Sequence, residues 1–170
     1  MKKILVRHSL SYANDKESPA FGRPEAHLRE AGIQHAKMLR PVFEKILGSK
    51  FNSTIVAVSE MNRAQETANY AGFKKQRTYS RLNEYDGDSK RQAMAFVANG
   101  DFDNAANSLA VYSNDLISTP PEEDIWFTHG LVIAGLTWAK DYEEIRIGDF
   151  EARKANRFIP YFTSLRILDI

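Results

Sequence analysis

The sequence predicts an α/β protein, a three-layer α/β/α sandwich around a mostly parallel central sheet. Two observations carry that expectation. Short apolar runs rich in β-branched residues occur at residues 4–6, in "STIVAVS" (53–59) and in "DIWFT" (124–128), separated by stretches with apolar residues at helical spacing. Strands alternating with helices bury a parallel sheet between two helical layers. At 170 residues, 43% hydrophobic and 26% charged, the chain suits a single domain, 1–170, with a substantial core.

The elements follow in order. "KKILV" (2–6) is a buried strand, and "NDKESPAFGRPEA" (14–26), rich in Pro, Gly and charge, is a surface loop. From His27 to Lys50 the residues Leu28, Ile33, Leu39, Val42, Phe43, Ile46 and Leu47 favour a helix, which Pro41 either kinks or restarts. After the strand at 53–59, "MNRAQETANYAG" is a helix ending at Gly72. "QRTYSRL" (76–82) is a short strand leading into the polar loop "NEYDGD". Residues 89–117 form two helices broken at Asn99 and Gly100, a helical insert at about 88–118 that Pro120 and Pro121 stop. "DIWFT" is followed by His129, Gly130 and a helix through residues 131–140, and "SLRILDI" (164–170) is a final edge strand.

Charge and composition narrow the function. The 23 Lys and Arg nearly balance 22 Asp and Glu, for a net charge of +1. That balance argues against a nucleic-acid or anionic-membrane binder, so any anion site must be local. The absence of cysteine excludes disulfides, thiolate metal sites and a cysteine nucleophile. The first strand is too short and too quickly charged for a signal peptide or membrane span, so a soluble, cytoplasmic protein is expected.

Ligands of open α/β sheets bind beyond the carboxyl ends of the strands. Arg7 and His8 follow the first strand, His129 follows "DIWFT", and Arg63 lies in the first turn of the helix after "STIVAVS". Two guanidinium groups converging with two imidazoles and helix N-termini suit a dense oxyanion, phosphate above all. A histidine there attacks phosphorus when its outward nitrogen is unprotonated. His27 and His35 stand eight apart, which does not give the adjacent pair that a metal site needs.

Five segments, in order, resemble the histidine phosphatase superfamily, the phosphoglycerate mutase-like fold. "LVRHSLSYAN" resembles its opening Arg-His-Gly motif with a later Asn. "FGRPEAHLREAGIQHA" and "VSEMNRAQETA" are similar to its Leu-Thr-x-x-Gly-x-x-Gln-Ala and Ser-Pro-x-x-Arg-Ala stretches. "LNEYDGD" and "DIWFTHGLVIAGL" match the acid-bearing and second-histidine segments. The likeness covers most of the chain and fades from Ser89 to Glu123 and after Lys140.

The resemblance implies His8 as nucleophile, with Arg7, Arg63 and His129 around the phosphate and Asn14 as a further contact. It implies Glu84 as the acid that protonates the leaving oxygen, and neither metal nor cofactor; the acidic loop "NEYDGD" is otherwise read as solvated, with Asp86 as the substitute acid. Asn14 has a second reading as a turn cap. Arg23 either reaches a second anionic group of the substrate or is a surface arginine. Two positions depart from the family: Ser9 stands for its Gly and Glu60 for its Pro. Ser9 either contacts the phosphate or crowds it. The implied activity is hydrolysis of a small phosphate monoester through a phosphohistidine. The alternatives are a protein phosphohistidine phosphatase and a catalytically weak phospholigand binder.

Overall fold

A computed structural model of the chain describes residues 1–85, 87–138, 140–147 and 158–170. The strands are β1 (Lys2–Arg7), β2 (Ile55–Val58), β3 (Lys75–Thr78), β4 (Ile125–Thr128), β5 (Glu143–Ile145) and β6 (Leu165–Asp169). The helices are α1 (Glu30–Leu47), α2 (Asn62–Tyr70), α3 (Gly87–Ala98), α4 (Phe102–Ser118) and α5 (Gly130–Thr137). The sheet order is β3-β2-β4-β1-β6-β5, with β6 antiparallel to both neighbours and the β1, β2, β3 and β4 pairings parallel. The expected mostly parallel α/β sandwich is the observed one.

Side chains alternate across a strand, and the two cores follow that alternation. Leu5, Ala57 and Trp126 join one apolar cluster with Leu109 of α4 and Ile133 of α5. Val6, Val56, Val58 and Phe127 join the other, with Leu39 and Phe43 of α1 and Ala68 of α2. Trp126 is fully buried, and removing so large a core side chain typically costs about 3–5 kcal/mol.

Three expectations need correction. The final strand is not at the edge, because β5 pairs outside it. β5 carries only the half-exposed stretch "EEI", with no apolar run to reveal it. "QRTYSRL" is a strand only to Thr78, and Ser80–Leu82 turn into a short 3-10 helix. The last helix stops at Thr137, before Trp138. α1 runs unbroken through Pro41, and the break between α3 and α4 falls at Asn99 and Gly100, where Gly100 takes φ +75°. Among the described residues no helix is long and apolar enough to cross a membrane.

Candidate active site

The sheet order builds the site. β4 lies between β2 and β1, and the register pairs Arg7 with Thr128 and Val58 with Phe127. One residue on, His8 stands beside His129, and Ser59 stands beside Thr128, one step short of His129. Backbone bonds carry the ladder one step further, from His8 N–H to Thr128 O (3.0 Å) and from Ser59 N–H to Phe127 O (3.0 Å). The His8 and His129 rings lie 5.0 Å apart, both buried.

The state of His8 is fixed from two sides. The carbonyl of Ser9 only accepts, so Nδ1–H donates to it at 2.7 Å. The Nε–H of Arg63 points at Nε2 across 3.3 Å, which leaves Nε2 as the lone-pair nitrogen. Burial first, then the charges of Arg63 and Arg7, hold the ring well below the ordinary histidine pKa, against the opposing pull of the Ser9 carbonyl. His129 is lowered likewise, by burial and then by His8, Arg63, Arg7 and Lys90.

Arg63 is 4% exposed on α2, and its Nη2 lies 3.6 Å from Oε2 of Glu84. The same oxygen is 3.9 Å from His129 Nδ1. Arg7 packs over the Phe162 ring, 3.7 Å from its centroid, and donates to the carbonyl of Pro160. Its guanidinium also lies against Gly130, where an added Cβ would stand 3.1 Å from Arg7 Cζ and Nε and 2.8 Å from Ile159 Cγ2. Glycine at the start of α5 is thus a condition of where Arg7 sits.

Ser9 has its hydroxyl held within the protein. Its hydroxyl donates to Gly32 O (2.7 Å) and accepts from Thr163 Oγ1 (2.9 Å), while its N–H donates to Thr67 Oγ1 (2.9 Å). Its φ is not positive, so the backbone accepts a side chain there. Among the described residues Thr163 is the one non-glycine with positive φ (60°), a costly conformation for a β-branched residue. It is held by Ser9 and by its own N–H on Arg7 O (3.2 Å). Arg23 has the exposed side chain of its surface-arginine reading, and its backbone reaches the site. Its side chain is 63% exposed and pairs with Glu25 at 3.8 Å, while its carbonyl accepts from Arg63 Nη1 at 3.3 Å. Asn14 caps a turn, its Oδ1 accepting from the Ser11 hydroxyl (2.8 Å) and N–H (3.3 Å). Asp86 lies outside the described residues.

The structure thus brings together Arg7, His8, Arg63, Glu84 and His129, and not the side chains of Ser9 or Arg23. Ser59, Thr67, Asn83, Lys90, Phe162 and Thr163 also stand around these groups and, Thr67 apart, are not marked out by the sequence. Thr67 had a signal, standing one helical turn after Arg63 on the same face. Ligand atoms of His8, Glu84 and His129 lie within 4.8 Å of one another, a spacing a metal ion could use. The charges of two guanidinium groups act on the same two rings, so a divalent cation would meet repulsion where an oxyanion meets attraction.

Fold and site together define an α/β/α protein with paired histidines and arginines at the carboxyl ends of its central strands. The histidine phosphatase superfamily (branch 1) matches residues 4–98, and the chain belongs to that superfamily. Solved structures agree on the fold. TTHB049 from Thermus thermophilus is 20% identical over 83% of this chain and 86% of its own, with a TM-score of 0.53. A candidate alpha-ribazole-5'-P phosphatase from Escherichia coli K-12 is 21% identical over 80% of this chain and 77% of its own, with a TM-score of 0.51. No curated protein matches the chain in sequence.

Proposed function

We propose that the protein is a phosphomonoesterase that acts on a small phosphorylated substrate through a phosphohistidine on His8. The observation that carries this reading is the tautomer of His8: Nδ1–H is committed to the Ser9 carbonyl and Nε2 keeps its lone pair. Nε2 forms a bond to phosphorus as the bridging P–O bond breaks, and the leaving oxygen takes a proton from Glu84. Water then attacks phosphorus and gives its proton to Glu84, so phosphate leaves and His8 is regenerated. Arg63 and Arg7 supply the charge that a metal supplies elsewhere, as oxyanion donors to the phosphoryl oxygens. A cytoplasmic setting belongs to the same proposal.

The binder reading depends on Ser9 obstructing attack, and the engagement of its hydroxyl with Gly32 and Thr163 supports catalysis instead. Glu84 beside Arg63 and His129 favours an ester over a phosphoramidate, whose leaving group needs less help from an acid. The test is an acid quench of enzyme turning over a phosphate-labelled ester, with a panel of phosphorylated metabolites alongside. Protein-bound label should be acid-labile and base-stable, map to His8 and vanish in His8→Ala. EDTA should leave the rate unchanged. Label on a serine or aspartate refutes the phosphohistidine. Phosphate binding without turnover of any phosphoester decides for the binder, and turnover of phosphohistidine alone decides for the phosphoramidate reading.

A further inference from the structure

We propose that Asn83 is a positioning residue that acts through Ser59 to hold a proton on Nε2 of His129, so that a phosphate group entering the site draws a second proton onto His129 Nδ1. The inference rests on the phosphate-site reading above.

Glu60 pins the Asn83 amide twice: its N–H donates to Oδ1 at 2.8 Å, and its Oε2 accepts from Nδ2 at 2.9 Å. Turning the amide over would set donor against donor and acceptor against acceptor. Oδ1 therefore faces Ser59, and because it only accepts, the Ser59 hydroxyl at 2.8 Å must donate to it. With its one hydrogen committed, Ser59 Oγ accepts from Met61 N–H (3.1 Å) and from His129 Nε2 (2.9 Å). His129 is therefore a donor at Nε2. Its Nδ1 is buried and meets no hydrogen-bond partner among the described residues, facing Glu84 Oε2 at 3.9 Å.

A neutral ring in that tautomer presents a lone pair to the site and repels a phosphate oxygen. Only a second proton makes Nδ1 a donor. The charged and titratable groups acting on His129 are Arg7 at the end of β1, His8 just after it, Arg63 from α2, Glu84 before α3 and Lys90 on α3. Burial and the cations keep the ring neutral, and an arriving dianion reverses that local balance. Both holds come from Glu60, its N–H and its carboxylate, and a proline at that position could supply neither.

The experiment uses the full chain and sulfate, which has no ionisation near neutral pH, so every proton counted belongs to the protein. Calorimetry in buffers of different ionisation enthalpy should show uptake of about one proton per sulfate bound, and affinity falling about tenfold per unit rise in pH. Nitrogen-15 NMR should show His129 protonated at Nε2 alone in the free protein and at both nitrogens with sulfate. Asn83→Leu frees the Ser59 hydroxyl to donate to His129 Nε2. The ring proton should then move to Nδ1 and proton uptake should largely disappear, with sulfate affinity kept within about tenfold. Ser59→Ala gives the same comparison where Asn83→Leu does not fold. Sulfate binding without proton uptake overturns the inference. So does a proton found elsewhere while Nδ1 stays bare, or full uptake in Asn83→Leu. No sulfate binding at all overturns the phosphate-site reading and the inference with it.

Discussion

The Nε–H of Arg63 donates to Nε2 of His8 across 3.3 Å, so the atom proposed to attack phosphorus is covered by the side chain proposed to hold the phosphate. Substrate must turn Arg63 from the ring toward its own oxygens. Arg63→Ala should lower turnover by about 10²–10³, the usual cost of one oxyanion donor. The same change removes a positive charge acting on His8, and NMR titration should show the His8 pKa rising. A His8 pKa that does not move would show that Arg63 does not hold the ring neutral.

The two buried rings set the pH dependence. Both bind their proton more weakly folded than unfolded, where histidine titrates near pH ~6.5. Between that value and the lowered folded values the unfolded chain binds more protons. Stability against urea should therefore be flat in these groups above pH ~6.5 and fall as pH falls through the window below it. His8→Asn and His129→Asn should each flatten that slope. The acid limb of kcat/KM due to His8 should also lie below pH ~6.5, and a midpoint above it would contradict the neutral nucleophile.

Ser9→Gly should change stability more than rate. The substitution leaves Gly32 O and the Thr163 hydroxyl without the Ser9 partner, both in buried surroundings. A loss of about 1–3 kcal/mol is expected in denaturant melts. Turnover should stay within about tenfold, under ~1.4 kcal/mol of barrier. A large rise in turnover would show that the serine obstructs attack after all.

Glu84→Gln keeps the size of the side chain and removes its transferable proton. Alkyl phosphates need that proton on a poor leaving group and should lose about 10²–10⁴ in rate. p-Nitrophenyl phosphate leaves readily without it and should lose much less. Equal losses on both would assign Glu84 to holding Arg63 and His129, which its distances of 3.6 and 3.9 Å also allow.

How much of this was legible depends on range along the chain. β1, β2 and β4 announce themselves by apolar, β-branched runs, and Arg7, His8 and His129 follow directly from where those runs stop. Arg63 follows from its place in the first turn after β2 with support from motif likeness, whereas Glu84 rests on motif likeness alone, because nothing local distinguishes it from a solvated charge. The company Ser9 keeps was hidden, since Gly32 and Thr163 meet it only after α1 and the segment before β6 have packed. β5 was hidden for a different reason. Its register partners lie on β6, and "EEI" buries too little to show a strand pattern. The amide of Asn83 was equally out of sight, being meaningful only through Glu60 and Ser59.

The place of β1 in the sheet has a consequence in time. Its partners, from Ile125 on one side and from Leu165 on the other, lie more than a hundred residues along the chain. β2, α2 and β3, by contrast, span Ile55–Val58 to Lys75–Thr78 and close over a short loop. Short loops close early and distant pairings close late. The β2-α2-β3 unit that carries Arg63 closes over short range, whereas His8 gains its neighbours only when β1 slots between β4 and β6. Competence to hold phosphate should therefore arrive in the last phase of refolding. In stopped-flow refolding, a sulfate-dependent signal should lag behind the main rise in helical ellipticity, and a sulfate signal in the earliest phase would mean that β1 docks first.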